Sequence, residues 1–140
     1  MLKIFVYGTL KPGESNYQEY CSDRVSSVVP AWVQGKLFAL PLGYPALLWD
    51  EIGGLVQGYL LTFFTPEILQ SLDQLEEYQE HRPSRENAYQ RRTIEVFTNF
   101  RTEPLSLGIA WIYVMEWELI HQLGGTLLPE GYWTSGQSKE

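Results

Sequence analysis

Met1-Leu-Lys-Ile-Phe-Val-Tyr-Gly-Thr-Leu-Lys-Pro-Gly13 opens the chain. Ile4, Phe5 and Val6 form a short apolar, β-favouring run, which stops at Tyr7-Gly8-Thr9-Leu10, where glycine and a hydroxyl replace bulk. A strand that feeds straight into such a loop delivers backbone N–H groups to one point. Gly8 permits close approach of the main chain to a ligand, Pro12-Gly13 closes the turn, and Lys11 adds positive charge nearby. The combination suits a small anionic ligand, and on local chemistry alone it equally suits a plain tight turn.

The surrounding chain narrows the choice. Its 140 residues fit one domain, expected over 1–134, with a polar tail over 135–140 expected to be disordered. Hydrophobic residues make up 44% and aromatic residues 14%, enough for a single folded core. A net charge of −7 repels polyanions, which excludes nucleic acid as a natural partner. Cys21 is the only cysteine, so neither an intramolecular disulfide nor a thiolate metal cluster is available, which fits a reducing compartment. Tyr7-Gly8-Thr9 interrupts the first apolar run too early for a signal peptide, and no stretch approaches the ~20 apolar residues needed to span a bilayer. A cytoplasmic protein with no membrane partner is expected.

Beyond the opening strand, Glu14 to Arg24 permits a short helix capped by Ser15 or Asn16, with Tyr17 and Tyr20 anchoring it. Val25 to Leu40 reads as one extended segment, with Pro30 marking an edge or bulge. Ala46 to Trp49 and Leu55 to Phe64 read as strands, and Gly58 inside the second predicts a bulge or the close packing of another backbone. Thr65-Pro66-Glu67 reads as a helix start, the hydroxyl as cap and proline in the first turn, with the helix running through Leu75. Tyr89 to Phe97 and Leu105 to Val114 are further strands, and from Met115 onward no pattern emerges. Strands outnumber helices, and Gly35 and Gly58 read as corners where strands curl. The expected fold is α+β: a small, mixed, barrel-like sheet with one main helix packed against it.

That helix carries a carboxylate on its apolar side. At about 100° per residue, Ile68, Leu69, Leu72 and Leu75 share a face whose centre lies about 50° from Glu76 and about 150° from Glu77. Glu76 is therefore expected against apolar packing, with Glu77 in water. A carboxylate so placed either finds strong partners or has its pKa raised towards neutrality, as a general acid/base requires. Glu76 is thus a candidate catalytic residue, or else an edge glutamate that reaches solvent or pairs with Arg91 or Arg92.

Taken together, these stretches resemble the γ-glutamylcyclotransferase-like (AIG2-like) family. Tyr7-Gly8-Thr9-Leu10 after the first strand is similar to its signature loop, and Leu72-Asp73-Gln74-Leu75-Glu76 followed by Tyr89-Gln90-Arg91 is similar to its catalytic helix and the strand opening behind it. Gly43-Tyr44-Pro45-Ala46, Val56-Gln57-Gly58-Tyr59 and Ala110-Trp111-Ile112-Tyr113 follow the family's order, so the likeness spans roughly residues 3 to 113. Two features depart from the pattern: the link from Glu76 to Tyr89 is long, and Glu77 stands where glycine is common.

The resemblance implies that Tyr7, Gly8, Thr9 and Leu10 cradle a γ-glutamyl group, with Tyr113 reaching the same pocket or packing in the core. It implies that Glu76 takes a proton from the substrate's α-amino group, which attacks the γ-carbonyl, and then protonates the departing amine to leave 5-oxoproline. No metal or other cofactor is needed, because the nucleophile is already inside the substrate. The rival reading is a non-catalytic module that binds a γ-glutamyl or amino-acid ligand on the same fold. A two-carboxylate glycosidase would need an acid converging on Glu76, and Asp50 and Glu51 qualify by type only. His81 and His121 lack ligand spacing and read as surface residues, while Trp111, Trp117 and Trp133 read as packing. Residues 79–88, with His81, Arg82 and Arg85, read as an exposed insertion, a lid or a partner surface. The leaving amine and the oligomeric state have no signature in the chain.

Overall fold

The protein, as a computed structural model, is described over residues 1–83, 86–98 and 103–135. Arg85 and residues 136–140 of the expected tail lie outside these. In chain order the elements are β1 (Leu2–Val6), α1 (Tyr17–Tyr20), β2 (Val25–Gln34), β3 (Lys36–Ala39), β4 (Pro45–Leu48), β5 (Leu55–Phe63), α2 (Ile68–Leu75), β6 (Gln90–Phe97), β7 (Ser106–Val114), α3 (Trp117–Gln122) and β8 (Thr126–Leu127). Five strands close a barrel in the order β1-β5-β2-β6-β7, sealed by a parallel contact of Ile4 with Trp111. A second sheet, β4-β3-β8, stands beside it. The α+β barrel with one principal helix, α2, is thus the observed architecture.

The opening strand is apolar without alternation because both of its faces are buried. Leu2, Ile4 and Val6 pack in a cluster with Leu61, Ile68 and Leu72, under α2. Phe5 and Tyr7 belong to a second cluster with Val33, Val56, Ile112 and Trp133. β5 lies antiparallel to β1, Val6 opposite Tyr59. A Cβ on Gly58 would stand 2.2 Å from the Val6 carbonyl oxygen and 2.8 Å from the Phe5 ring, so this glycine marks close backbone packing.

Residues 25–40 form two strands where one extended segment was expected. β2 pairs with β5 as far as Gln34 opposite Leu55, and the chain then leaves the barrel at Gly35 so that β3 can pair with β4. The bulge in β2 falls between Val25 and Ser27, while Pro30 sits in register opposite Tyr59.

The helix start also differs from expectation. Glu67, not Thr65, occupies the cap position, and it makes no side-chain capping bond. The preceding turn is closed by i→i−3 bonds from Leu69 to Pro66 and from Gln70 to Glu67, so the helix proper begins at Ile68. α3 went unread because only Ile120 of its six residues is buried, which leaves no periodic apolar stripe. Among the described residues no helix is long and apolar enough to cross a membrane.

Candidate active site

β1 runs out beside the C-terminal end of α2, and a pocket of about 220 Å³ opens between them. The turn Tyr7–Leu10, Glu76 and Tyr113 all line it, so the fold brings every residue singled out as a site candidate to one place. Asn16, Tyr44, Glu77 and Tyr89 complete its polar wall.

The turn is held from within. Lys11 N–H donates to the Gly8 carbonyl at 3.0 Å, and Asn16 donates to Thr9 twice: its main-chain N–H to the carbonyl at 2.8 Å and its side-chain Nδ2 to Oγ1 at 2.9 Å. Among the described residues this leaves the N–H groups of Gly8, Thr9 and Leu10 without partners, as an anion cradle requires. Asn16 does stand at the cap of α1, yet its side chain makes no capping bond and serves the pocket turn instead.

Two expectations about this turn need correction. The space left by the missing Cβ of Gly8 is filled by the Pro45 ring, whose Cγ would lie 2.7 Å from an added Cβ, so the absent side chain makes room for β4 while Gly8 still lines the pocket through its backbone. Lys11 is not among the residues that line the pocket. It is buried, donates its Nζ to the Trp133 carbonyl, and lies 3.8 Å from the centroid of the Tyr132 ring.

The tyrosines fix the walls. The Tyr7 hydroxyl donates to the Tyr113 carbonyl at 2.6 Å and accepts from Leu47 N–H at 3.2 Å, tying β1 to β7 and β4. Tyr89 donates to the Pro45 carbonyl at 2.6 Å. Burial pushes the pKa of both phenols well up, and the nearby Glu76 charge adds to this, so both stay protonated. Tyr113 donates to Asp73 Oδ1 at 2.7 Å, and Arg91 donates to Oδ2 of the same carboxylate at 2.6 Å. The Arg91 guanidinium also lies over the Trp111 ring, 4.7 Å from its centroid.

That network leaves Glu76 alone. Arg91 spends its charge on Asp73 and, at 3.8 Å, on Glu80, so among the described residues no cation pairs with Glu76. The residue is half-buried: protein surrounds the carboxyl, and the exposure it keeps is toward the pocket. Burial first, and repulsion from Glu77 second, push its pKa up from 4.5 to about 7. Such a group accepts and returns protons near neutral pH. Glu77 is exposed, as expected, but it stands beyond the end of α2 and also lines the pocket.

The chain as a whole is similar to known proteins. The sequence model of the family described as gamma-glutamyl cyclotransferase, AIG2-like, matches residues 4–135. The chain belongs to that family. A relative from Niallia circulans, named gamma-L-glutamyl-butirosin B gamma-glutamyl cyclotransferase, is 37% identical over 78 residues, which are 56% of this chain and 47% of that protein. The match thus spans about half the length of that relative. Among solved structures, an AIG2-like protein from mouse superposes with a TM-score of 0.63 at 20% identity, covering 96% of this chain and 88% of the other. YkqA from Bacillus subtilis gives a TM-score of 0.66 at 24% identity, covering 97% of this chain but 40% of YkqA. At these identities the structural likeness shows the fold.

Sequence reasoning missed Asn16 as a wall of the pocket and missed the partner of Arg91. Asn16 looks like any helix cap, and nothing local distinguishes a cap from a clamp on a loop seven residues earlier. Asp73 and Arg91 both lie in the quoted motifs, but their contact crosses 18 positions and depends on how α2 lies over β6. In the described part of the segment after Glu76, Asn87 is buried, its Oδ1 accepting from Gln79 N–H at 3.0 Å and from Arg82 Nε.

Proposed function

We propose that the protein is a cytosolic cyclotransferase that releases 5-oxoproline from a γ-glutamyl amine or γ-glutamyl dipeptide, with Glu76 as general acid/base. One observation carries this reading: a carboxyl with a pKa near 7 and, among the described residues, no cation partner faces the same pocket as a turn whose three N–H groups have no partner among those residues either. The substrate's α-carboxylate would sit on the N–H groups of Gly8, Thr9 and Leu10. Glu76 would accept a proton as the α-amino nitrogen bonds to the γ-carbonyl carbon, then deliver it to the amine nitrogen as the old amide bond breaks. The products are 5-oxoproline and a free amine, and neither a metal nor a redox partner enters the balance. Tyr113 would contribute its ring and position rather than its hydroxyl, which is committed to Asp73. Family membership supports the reaction class, and the named substrate of the Niallia circulans relative supports a γ-glutamyl donor.

The test is release of 5-oxoproline, followed by mass spectrometry, from a panel of γ-glutamyl amines and dipeptides. Wild type should turn over at least one conjugate, with kcat/KM rising through an inflection near pH 7. Glu76→Gln should fold and lose roughly 10²-fold or more of that activity. Binding of the conjugates by calorimetry without any turnover would replace this reading with the binding module.

A further inference from the structure

Glu77 follows Glu76 in a backbone conformation that side chains normally avoid, with φ at 54°. It closes α2: Glu77 N–H donates to the Gln74 carbonyl, and Tyr78 N–H donates to the Asp73 carbonyl at 2.9 Å. This is the glycine position of a helix-terminating motif, where a residue with a Cβ is strained. The conformation brings the exposed Glu77 to the rim of the pocket, next to Glu76. Its charge is felt by its neighbours, since it raises the pKa of both Glu76 and Tyr44.

The pocket is consequently polarised. Its lining offers N–H groups at the Gly8–Leu10 turn and, where α2 terminates, two carboxylates. Among the described residues no lysine, arginine or histidine lines it. Nearby cations are engaged elsewhere: Lys11 by Trp133, Arg91 by Asp73, and Arg82 by Asn87 and by the main-chain carbonyl of Glu77 rather than its carboxylate. A γ-glutamyl conjugate lying with its α-carboxylate on the N–H groups places its leaving amine at the carboxylates. A leaving group bearing its own carboxylate meets two carboxyl groups there, and among the described residues no cationic side chain lines the pocket beside them. One bearing an ammonium meets charge opposite to its own.

We infer that Glu77 selects the leaving group, and that the substrates are γ-glutamyl conjugates of amines carrying a second positive charge and no carboxylate. The inference rests on the proposed cyclotransferase reading of the pocket.

Three γ-glutamyl conjugates of equal chain length test it: a diamine conjugate with a free ammonium, an n-alkylamine conjugate, and an ω-amino acid conjugate. Wild type at low salt should favour the cationic over the neutral conjugate by about tenfold in kcat/KM, chiefly through KM, and the anionic one should be poorest. Glu77→Gln should reduce the cationic-to-neutral ratio to about threefold or less, as should raised salt. The ratio at one pH cancels the change that the substitution makes in Glu76, because Glu76 acts on every conjugate. Calorimetry with Glu76→Gln protein reads the same preference as a ratio of Kd values without turnover. If wild type releases 5-oxoproline from all three equally, or Glu77→Gln keeps the ratio, the selection is overturned and the cyclotransferase reading stands. If nothing turns over but the cationic conjugate still binds preferentially through Glu77, the selection stands and catalysis falls. Equal binding without turnover, or no binding, overturns both.

Discussion

Glu76 carries its raised pKa at a cost that the fold must bear. Tyr7, Tyr44, Tyr89 and Tyr113 face it from neighbouring elements, and all have raised pKa values, so Glu77 is the charged group among those it senses near neutral pH. In the native state the proton leaves near pH 7, and in the unfolded chain near 4.5. Between those values the native state holds the proton that the unfolded state has released, so stability falls as pH rises and levels off above about 7. The full cost is at most about 3 kcal/mol, and the water that reaches the pocket reduces it. Glu76→Gln should therefore match wild type in Tm near pH 4 and exceed it by several degrees near pH 8. Equal melting at both values, followed by circular dichroism, would mean that the carboxyl is solvated and its pKa ordinary.

At the scale of elements, the site exists because β1 and β5 approach more closely than side chains would allow. Gly58 is the point of approach, with the Val6 carbonyl 2.2 Å from where a Cβ would stand. That obstacle is backbone and cannot rotate away. Gly58→Ala should cost about 3 kcal/mol in urea unfolding and should also lower activity, since Val6 leads directly into the Tyr7–Leu10 turn. A variant with unchanged stability would show that the two strands separate freely. The helix face of α2 was legible because a 3.6-residue period is a local property, and the buried Ile68 and Leu72 fall where that period puts them, whereas Glu77, past the helix end at φ 54°, follows no helical phase and lines the pocket beside Glu76. The division of residues 25–40 into β2 and β3 was not, because β-favouring residues continue on both sides of Gly35 and only the choice of partner strand separates them.

For the whole molecule, the C-terminal segment matters more than its composition suggests. Trp133 is fully buried among the barrel residues, and its carbonyl accepts from the buried Lys11 ammonium. Lys11 follows directly on the pocket turn, so the end of the chain braces the loop at its beginning. Burial lowers the Lys11 pKa, although Glu14 opposes the shift. Trp133→Ala should cost about 4 kcal/mol by denaturant unfolding, as expected when a large buried side chain is removed. A loss below about 1 kcal/mol would mean that the segment lies on the barrel without completing it.

By itself the sequence determined what local chemistry can encode: an apolar first strand ending in Tyr7-Gly8-Thr9-Leu10, a helix with Glu76 turned inward, and an α+β chain rich in strands. Motifs in a constant order then pointed to the family, because a loop and a carboxylate that act together must recur together. Tertiary structure alone decided the partners. It gave Lys11 to Trp133, Gly8 to Pro45, and Arg91 to Asp73, so that among the described residues the two carboxylates at the end of α2 line the pocket with no cationic side chain beside them. Each of these pairings joins residues far apart in the chain through the crossing of separate elements, and the energy that selects among such partners comes from burial, which no local stretch contains.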